Sequence, residues 1–304
     1  MRIGVTLGAD RGRVDVVDEA VAEAREAAGV GIGSVWFGQR FGTDAIALAG
    51  LVGREVPEIE VGVSAVPVFG RHPVLVGSQA LTAAAATGNR FRLGLAMGTA
   101  AWTERAFGVP HERPAARLAE FLTALGPLLA TGTTDHRGDL ITAATPTPAL
   151  VAGAKAPPVL VAAMGPRALR VSGALADGIL PRLAGPRVLT DRIVPTVTDA
   201  ARTAGRGDPA VLAIVPVTVT DRPDEARAAA RERLAFYETV PAYRRILDEE
   251  GVERAGDLAL VGDERTVLAG LRRYVDAGAT ELLIETDLDD PDARRRTWEA
   301  VGGW

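Results

Sequence analysis

The segment APPVLVAAMGPRALRVSGALADGI, Ala156 to Ile179, passes from an apolar run through a helix to a second apolar run within 24 residues. PVLVAAM has the continuous apolar, β-branched character of a strand buried on both faces. Gly165, Pro166 and Arg167 then open a helix, since proline suits the first helical turn, and GILPRL begins the next strand. Ala162, Ala163 and Gly165 crowd the hand-over, where small side chains let a ligand approach the backbone closely. Free N–H groups and the positive end of the helix face the same point, which suits a phosphate. The other reading of Gly165 is a tight turn that needs glycine for its backbone alone.

The same strand–helix unit recurs along the chain. Strands are expected at Arg2–Leu7, at SVWF (Ser34–Phe37), at Glu58–Phe69, at Arg90–Met97, in PVLVAAM, in GILPRL, at Ala210–Thr220 and at Glu281–Thr286. Between them lie helical patterns such as Val14, Val17, Val21, Ala24 and Ala28, or Leu118, Phe121, Leu122, Leu125 and Leu129, spaced by three and four. The glycines of GVGIG, Gly29–Gly33, close a helix and precede a strand, the reverse of a dinucleotide fingerprint. Eight alternations in a chain of 304 residues predict an α/β fold, a (β/α)8 barrel, with a doubly wound sheet as the open alternative. One domain over 1–304 is expected, with insertions at about 131–157 and 237–262. In a barrel the chemistry sits at the C-terminal strand ends. Here these are Leu7–Gly8, Phe37–Arg40, Ser64–Ala65, Met97–Thr99, Ala162–Gly165, Leu180–Arg182, Pro216–Thr218 and Glu285–Thr286.

Composition narrows the function. The chain has no cysteine, which excludes disulfides, thiolate nucleophiles and cysteine-ligated metals. A net charge of −5 speaks against nucleic acid as a partner. No apolar run approaches the ~18 residues of a membrane span, and MRIGVTLGAD lacks a signal-peptide core. A cytoplasmic location is the resulting expectation. His72, His111 and His136 show no metal-ligand spacing, and no metal is expected. His72, where the third strand gives way to its helix, is a ligand contact or a loop-closing residue. In Asp287–Asp292, Asp290-Pro291 reads as a helix start rather than a cation site. No Ser–His–Asp set or carboxylate pair assembles at the strand ends, and Lys155 precedes its strand, which disfavours Schiff-base chemistry. Such a mouth takes its chemistry from a cofactor. Trp36, Phe37, Phe69 and Trp102 are candidate walls of an apolar substrate pocket.

Together with RHPVLVGSQALTAAAATGNRFRLGLAMG (Arg71–Gly98), the opening segment resembles the luciferase-like monooxygenase superfamily, and within it the branch dependent on coenzyme F420. SVWFGQRFGTDAIALA and LVGDERTVLAGLRRYVDAGATELL extend the likeness along the chain. The resemblance implies a deazaflavin, or alternatively FMN, over the C-terminal mouth of the barrel. It implies a phosphate held by Ala162, Ala163, Met164, Gly165, Pro166 and Arg167, and a non-proline cis bond at Ser64–Ala65 against the ring. Gly98 and Thr99, in the loop running to Trp102, would flank that ring, and Arg40, Arg71 or Arg182 would meet the anionic tail. Relatives place an Asp-His pair after the second strand where this chain has Gln39-Arg40, or a histidine in the fourth-strand loop where it has GTAAW. The proton donor is therefore open, and Gln39 is the candidate for orienting a carbonyl or a water. The implied reaction is hydride transfer between the deazaflavin C5 and a small molecule or peptide, with reduction of C=C or C=N first and alcohol oxidation second. FMN-dependent oxygenation and a cofactor-less binding barrel are the rivals. A homodimer packed through barrel helices is implied as well.

Overall fold

Ile3, Val5 and Leu7 alternate with Gly4 and Thr6 along the first strand, and this division between outer and inner face governs the architecture. The structure, a computed structural model, describes residues 1–8, 15–286 and 290–304. Eight parallel strands form the barrel: β1 (Arg2–Leu7), β2 (Ser34–Phe37), β3 (Glu60–Val63), β4 (Phe91–Ala96), β5 (Val159–Ala162), β6 (Gly178–Ile179), β7 (Ala210–Val219) and β8 (Glu281–Glu285). Each pairs with its neighbour in sequence, and β8 pairs with β1. Pairing of Gly178 with Ala210 and of Ile179 with Val211 joins β6 to β7 and closes the ring, so the doubly wound sheet is excluded.

The helices are α1 (Val16–Gly29), α2 (Ala45–Glu55), α3 (Pro73–Ala86), α4 (Ala100–Phe107), α5 (Pro114–Thr131), α6 (Pro166–Leu175), α7 (Val194–Thr203), α8 (Pro223–Glu238), α9 (Pro241–Glu250), α10 (Glu264–Asp276) and α11 (Pro291–Gly302). The α5 stripe Leu118, Phe121, Leu122, Leu125 and Leu129 is buried, as its spacing predicts. Asp290 caps α11 by accepting from Ala293 N–H, and Pro291 occupies the first turn. Asp287 and Asp289 of the acidic run lie outside the described residues. Among the described residues no helix is long and apolar enough to cross a membrane, and no acidic or histidine cluster could hold a metal ion.

The structure departs from the sequence reading in several segments. The stretch after α5 holds a two-stranded antiparallel hairpin, Asp135–Arg137 with Thr142–Ala144, where a loop is expected. Its three-residue strands are too short to show a period. The expected third strand breaks after Val63 and resumes as Val66–Pro67 against Leu95 and Ala96. GILPRL contributes only Gly178–Ile179 and a single bridge from Arg182 to Ile214, because Pro181 has no N–H to give.

The barrel interior is layered. Trp36, Leu160, Leu180, Leu212, Ile214 and Leu283 fill its middle. Trp36 fits because its neighbours are glycine: a Cβ on Gly62 would lie 2.5 Å from the indole, and one on Gly4 3.1 Å from its Nε1. The indole N–H donates to Ser34 Oγ at 2.9 Å. Below, at the N-terminal strand ends, Arg92 of β4 donates to both carboxylate oxygens of Glu281 on β8, at 2.6 and 3.0 Å, with its guanidinium over the Trp36 ring. This pair spans the barrel between opposite strands.

Candidate active site

Two cavities open at the C-terminal ends of the strands. The first, of about 740 Å³, lies over the loops that follow β2, β3 and β4. The second, of about 510 Å³, lies over the barrel axis between β1, β6 and β8. Gln39, Arg40, Ala65, Phe236 and Tyr237 line both. The Ser64–Ala65 bond is cis, as the resemblance implies, and Ala65 stands at this shared wall.

The first cavity is walled by aromatic rings. Among the described residues the exposed aromatics are Phe41, Trp102, Phe107 and Phe236, between 44% and 66% accessible, and every one lines it. They come from the β2 loop, from α4 and from α8, so three separate segments converge. Phe41 stacks on Trp102 with centroids 5.1 Å apart and leans on Phe107 at 6.4 Å. Trp102 thus lines this cavity. Trp36, Phe37 and Phe69 do not line either cavity, and the expectation for them is corrected: all three are fully buried. Trp36 packs the barrel interior, Phe37 faces the helices, and Phe69 stacks on His111 at 4.5 Å beneath the Arg117 guanidinium. Both faces of β2 are buried along its whole length, Phe37 at its end included.

The polar residues around the cavity are tied into the wall. Gln39 donates to the carbonyls of Arg40 and Thr43, at 2.6 and 3.0 Å, and accepts from Arg71 at 2.8 Å and from Ala45 N–H at 3.2 Å. Its amide is spent on the loop and on the start of α2, so it positions the wall rather than orienting a substrate. Arg71 is held by Asp44 at 2.8 Å, and Asp44 also caps α2 at the N–H groups of Ile46 and Ala47. Burial pushes the Asp44 carboxyl up, but the Arg71 hydrogen bond and the two cap bonds outweigh it and hold the group below its ordinary range. His72 is a helix cap: Val74 N–H donates to Nδ1, and Nε2–H donates to Thr142 O at 2.9 Å. Arg40 is exposed, and among the described residues no carboxylate pairs with it.

Gly98 has φ +70°, a left-handed conformation that favours glycine, and Thr99 begins α4 without a side-chain cap. Thr99 lines the first cavity, and its buried Oγ1 has no partner among the described residues. In the second cavity Arg182 and Glu285 form a three-bond ion pair at 2.7 to 3.0 Å. Tyr237 lies over the guanidinium at 4.2 Å, and Tyr243 meets Tyr237 edge-on at 4.8 Å. Arg182 is therefore clasped rather than free for a cofactor tail, and Arg71 likewise. Sequence reasoning missed this assembly. Arg182 and Glu285 both stand at expected strand ends, and their opposite charges are the signal that pairs them. The tyrosines arrive from α8 and α9, which carry no motif.

The expected phosphate seat lies one strand over. Ala162 pairs with Ala96, itself a wall residue, but Ala162, Ala163, Met164, Gly165, Pro166 and Arg167 line neither cavity. Gly165 is the N-cap of α6 at φ −80°, ψ 146°, with no side-chain cap, and a Cβ built there meets nothing within 4 Å. Neither backbone nor packing demands glycine at this position. The tight-turn reading of Gly165 therefore loses its support.

The chain matches the family of luciferase-like monooxygenases over residues 1–281 and belongs to it. It is similar in structure to the coenzyme F420-dependent tetrahydromethanopterin reductase of Methanopyrus kandleri, with a TM-score of 0.82 at 20% identity over 99% of this chain and 97% of that one. A similar likeness holds to an F420-dependent secondary alcohol dehydrogenase in complex with an F420-acetone adduct, with a TM-score of 0.80 at 18% identity and the same coverage of 99% and 97%. The oxygenating constituent of 3,6-diketocamphane monooxygenase of Pseudomonas putida, in complex with FMN, gives 0.79 at 18%, over 99% and 97%. These likenesses concern the fold. In sequence, an uncharacterized protein of Mycobacterium tuberculosis is 27% identical over 214 residues, 66% of this chain and 63% of the relative, so the match spans less than two thirds of the relative's length.

Proposed function

We propose that the protein is an oxidoreductase that uses coenzyme F420 to transfer a hydride to or from a small organic substrate, with reduction of a C=C or C=N bond as its direction. The observation that carries this is Gly165: a glycine that its own fold does not require, at an uncapped helix start beside the strand that walls the aromatic cavity. The residues present fit the group. A planar heterocycle is served by the Phe41–Trp102 stack, by Ala65 and by the buried Thr99 hydroxyl. Its phosphate is served by the amides that follow Gly165. The further anionic tail of a deazaflavin favours it over FMN here: Arg40, Arg167 and Arg170 are exposed, and no carboxylate pairs with them among the described residues. Bound deazaflavin supplies a carbon that accepts or donates a hydride. The chain's own part is to hold the ring, exclude water with Phe41, Phe107 and Phe236, and present a substrate across the Ala65 wall. Gln39, Arg71 and Asp44 keep that wall in place.

Titration of the purified chain with F420 and, separately, with FMN, following cofactor and tryptophan fluorescence, checks the reading. The expected result is saturable F420 binding that quenches emission from Trp102, with FMN at least about tenfold weaker, the difference of roughly one charge-assisted contact. Tighter FMN binding would replace the reading with a flavin-dependent monooxygenase, and binding of neither with a cofactor-less barrel.

A further inference from the structure

We propose that the floor of the second cavity is a subsite for a neutral carbonyl or imine, whose oxygen or nitrogen accepts hydrogen bonds from Arg182 Nη1 and the Thr286 hydroxyl. The proposal deepens the reading of this mouth as an active site and rests on it for the term substrate.

Two donors carry it. Arg182 spends Nε and Nη2 on Glu285 and has the Tyr243 hydroxyl beside it, while Nη1 is buried and makes no well-formed hydrogen bond among the described residues. Thr286 is 4% exposed, and its Oγ1 is likewise buried and unpartnered. Both residues line the same cavity, Arg182 after β6 and Thr286 after β8, the two strands that flank β7. Folded proteins satisfy nearly all such groups, and each exception calls for a partner, which a ligand or a water can supply.

The charge balance selects the ligand. Glu285 neutralises the guanidinium through three bonds, so the floor presents donors without net positive charge. A carboxylate or phosphate on these two donors would meet the Glu285 carboxylate at close range, while the unpaired Arg40 enters the cavity from the β2 side, across the barrel from β6. A neutral acceptor meets only the donors. Arg182 is also fixed in place: the Tyr237 ring covers the guanidinium at 4.2 Å, and the Arg182 backbone bridges to Ile214. Donors held in place polarise a C=O or C=N group with little reorganisation. Ala65 and Tyr237, shared with the first cavity, place this floor next to the aromatic walls.

The test uses 4-dimethylaminocinnamaldehyde, a neutral aldehyde whose absorption moves to the red when its carbonyl accepts strong hydrogen bonds, and 4-dimethylaminocinnamate as its anionic counterpart. The wild-type chain is expected to bind the aldehyde with a red shift and the carboxylate at least about tenfold more weakly. Thr286→Val keeps the shape and removes one donor. It is expected to weaken the aldehyde about fivefold, the value of one ordinary hydrogen bond, and to reduce the red shift, while its melting temperature stays at or above that of wild type. Arg182→Lys retains the charge facing Glu285 and is expected to abolish the shift. Carboxylate binding as tight as the aldehyde, or a Thr286→Val chain with unchanged affinity and spectrum, would overturn the subsite. A lower melting temperature for Thr286→Val with unchanged aldehyde affinity would overturn it too, as that pattern marks a structural hydroxyl. Titrating the same preparation with F420 separates the two readings. Aldehyde binding without cofactor binding supports the subsite and defeats the redox function, whereas cofactor binding without a wild-type red shift defeats the subsite alone.

Discussion

Replacing Arg92 with methionine is expected to destabilise the fold by about 3–5 kcal/mol, the usual consequence of removing one partner from a buried ion pair. Arg92 and Glu281 are only 10% and 15% exposed and joined by two hydrogen bonds across the barrel. Without the guanidinium, Glu281 keeps its charge in a layer closed above by Trp36, and the desolvation of that charge is no longer offset. The loss goes beyond electrostatics, because the guanidinium also packs over the indole at 5.3 Å. The double variant Arg92→Met, Glu281→Leu removes both charges and is expected to regain most of the loss. Urea unfolding of the three chains is the measurement. A single variant within about 1 kcal/mol of wild type, the range of exposed pairs, would show that the pair does not staple the barrel.

Gly165→Leu is the substitution in which binding and stability are expected to part. Its backbone conformation is open to any residue, and a side chain there enters free space. Losing a flexible glycine from the unfolded chain favours folding by about 0.4–1 kcal/mol, and leucine is a poorer N-cap than glycine by a similar amount. The two effects offset, and the melting temperature should stay within a few degrees of wild type. The leucine covers the amides that would face a phosphate, and one or two charge-assisted hydrogen bonds are worth about 1.5–3 kcal/mol each. F420 affinity should therefore fall by roughly 100-fold. Unchanged affinity in a folded Gly165→Leu chain would move the phosphate elsewhere.

Most of the barrel was legible because a parallel strand inside an α/β protein is a continuous apolar run, and PVLVAAM, RFRLGLAM and AVLAIVPVTVT have that character. The same property hid the orientation of Trp36 and Phe37. Where both faces of a strand are buried, alternation cannot say which side chain meets the interior and which the helices. The cue was in neighbouring strands, since Gly4 and Gly62 clear the space that Trp36 fills. At the mouth, Gly165 and the Ser64–Ala65 bond stood out through local sequence and family likeness. Phe41, Phe107 and Phe236 did not, because a loop or helix aromatic reads equally as core until three distant segments are seen to converge. Arg71 and Arg182 read as free anion binders because a sequence shows charges but not their partners. Asp44 and Glu285 stand 27 and 103 residues away.

The most direct test of the central claim, that a redox heterocycle occupies this mouth and its phosphate rests on the start of α6, is crystallographic. Crystals of the chain grown with F420 should show ring density between Ala65, Trp102 and Phe236, with phosphate density on the amides following Gly165. Ring density at the N-terminal end of the barrel near Arg92, or phosphate density away from α6, would contradict it.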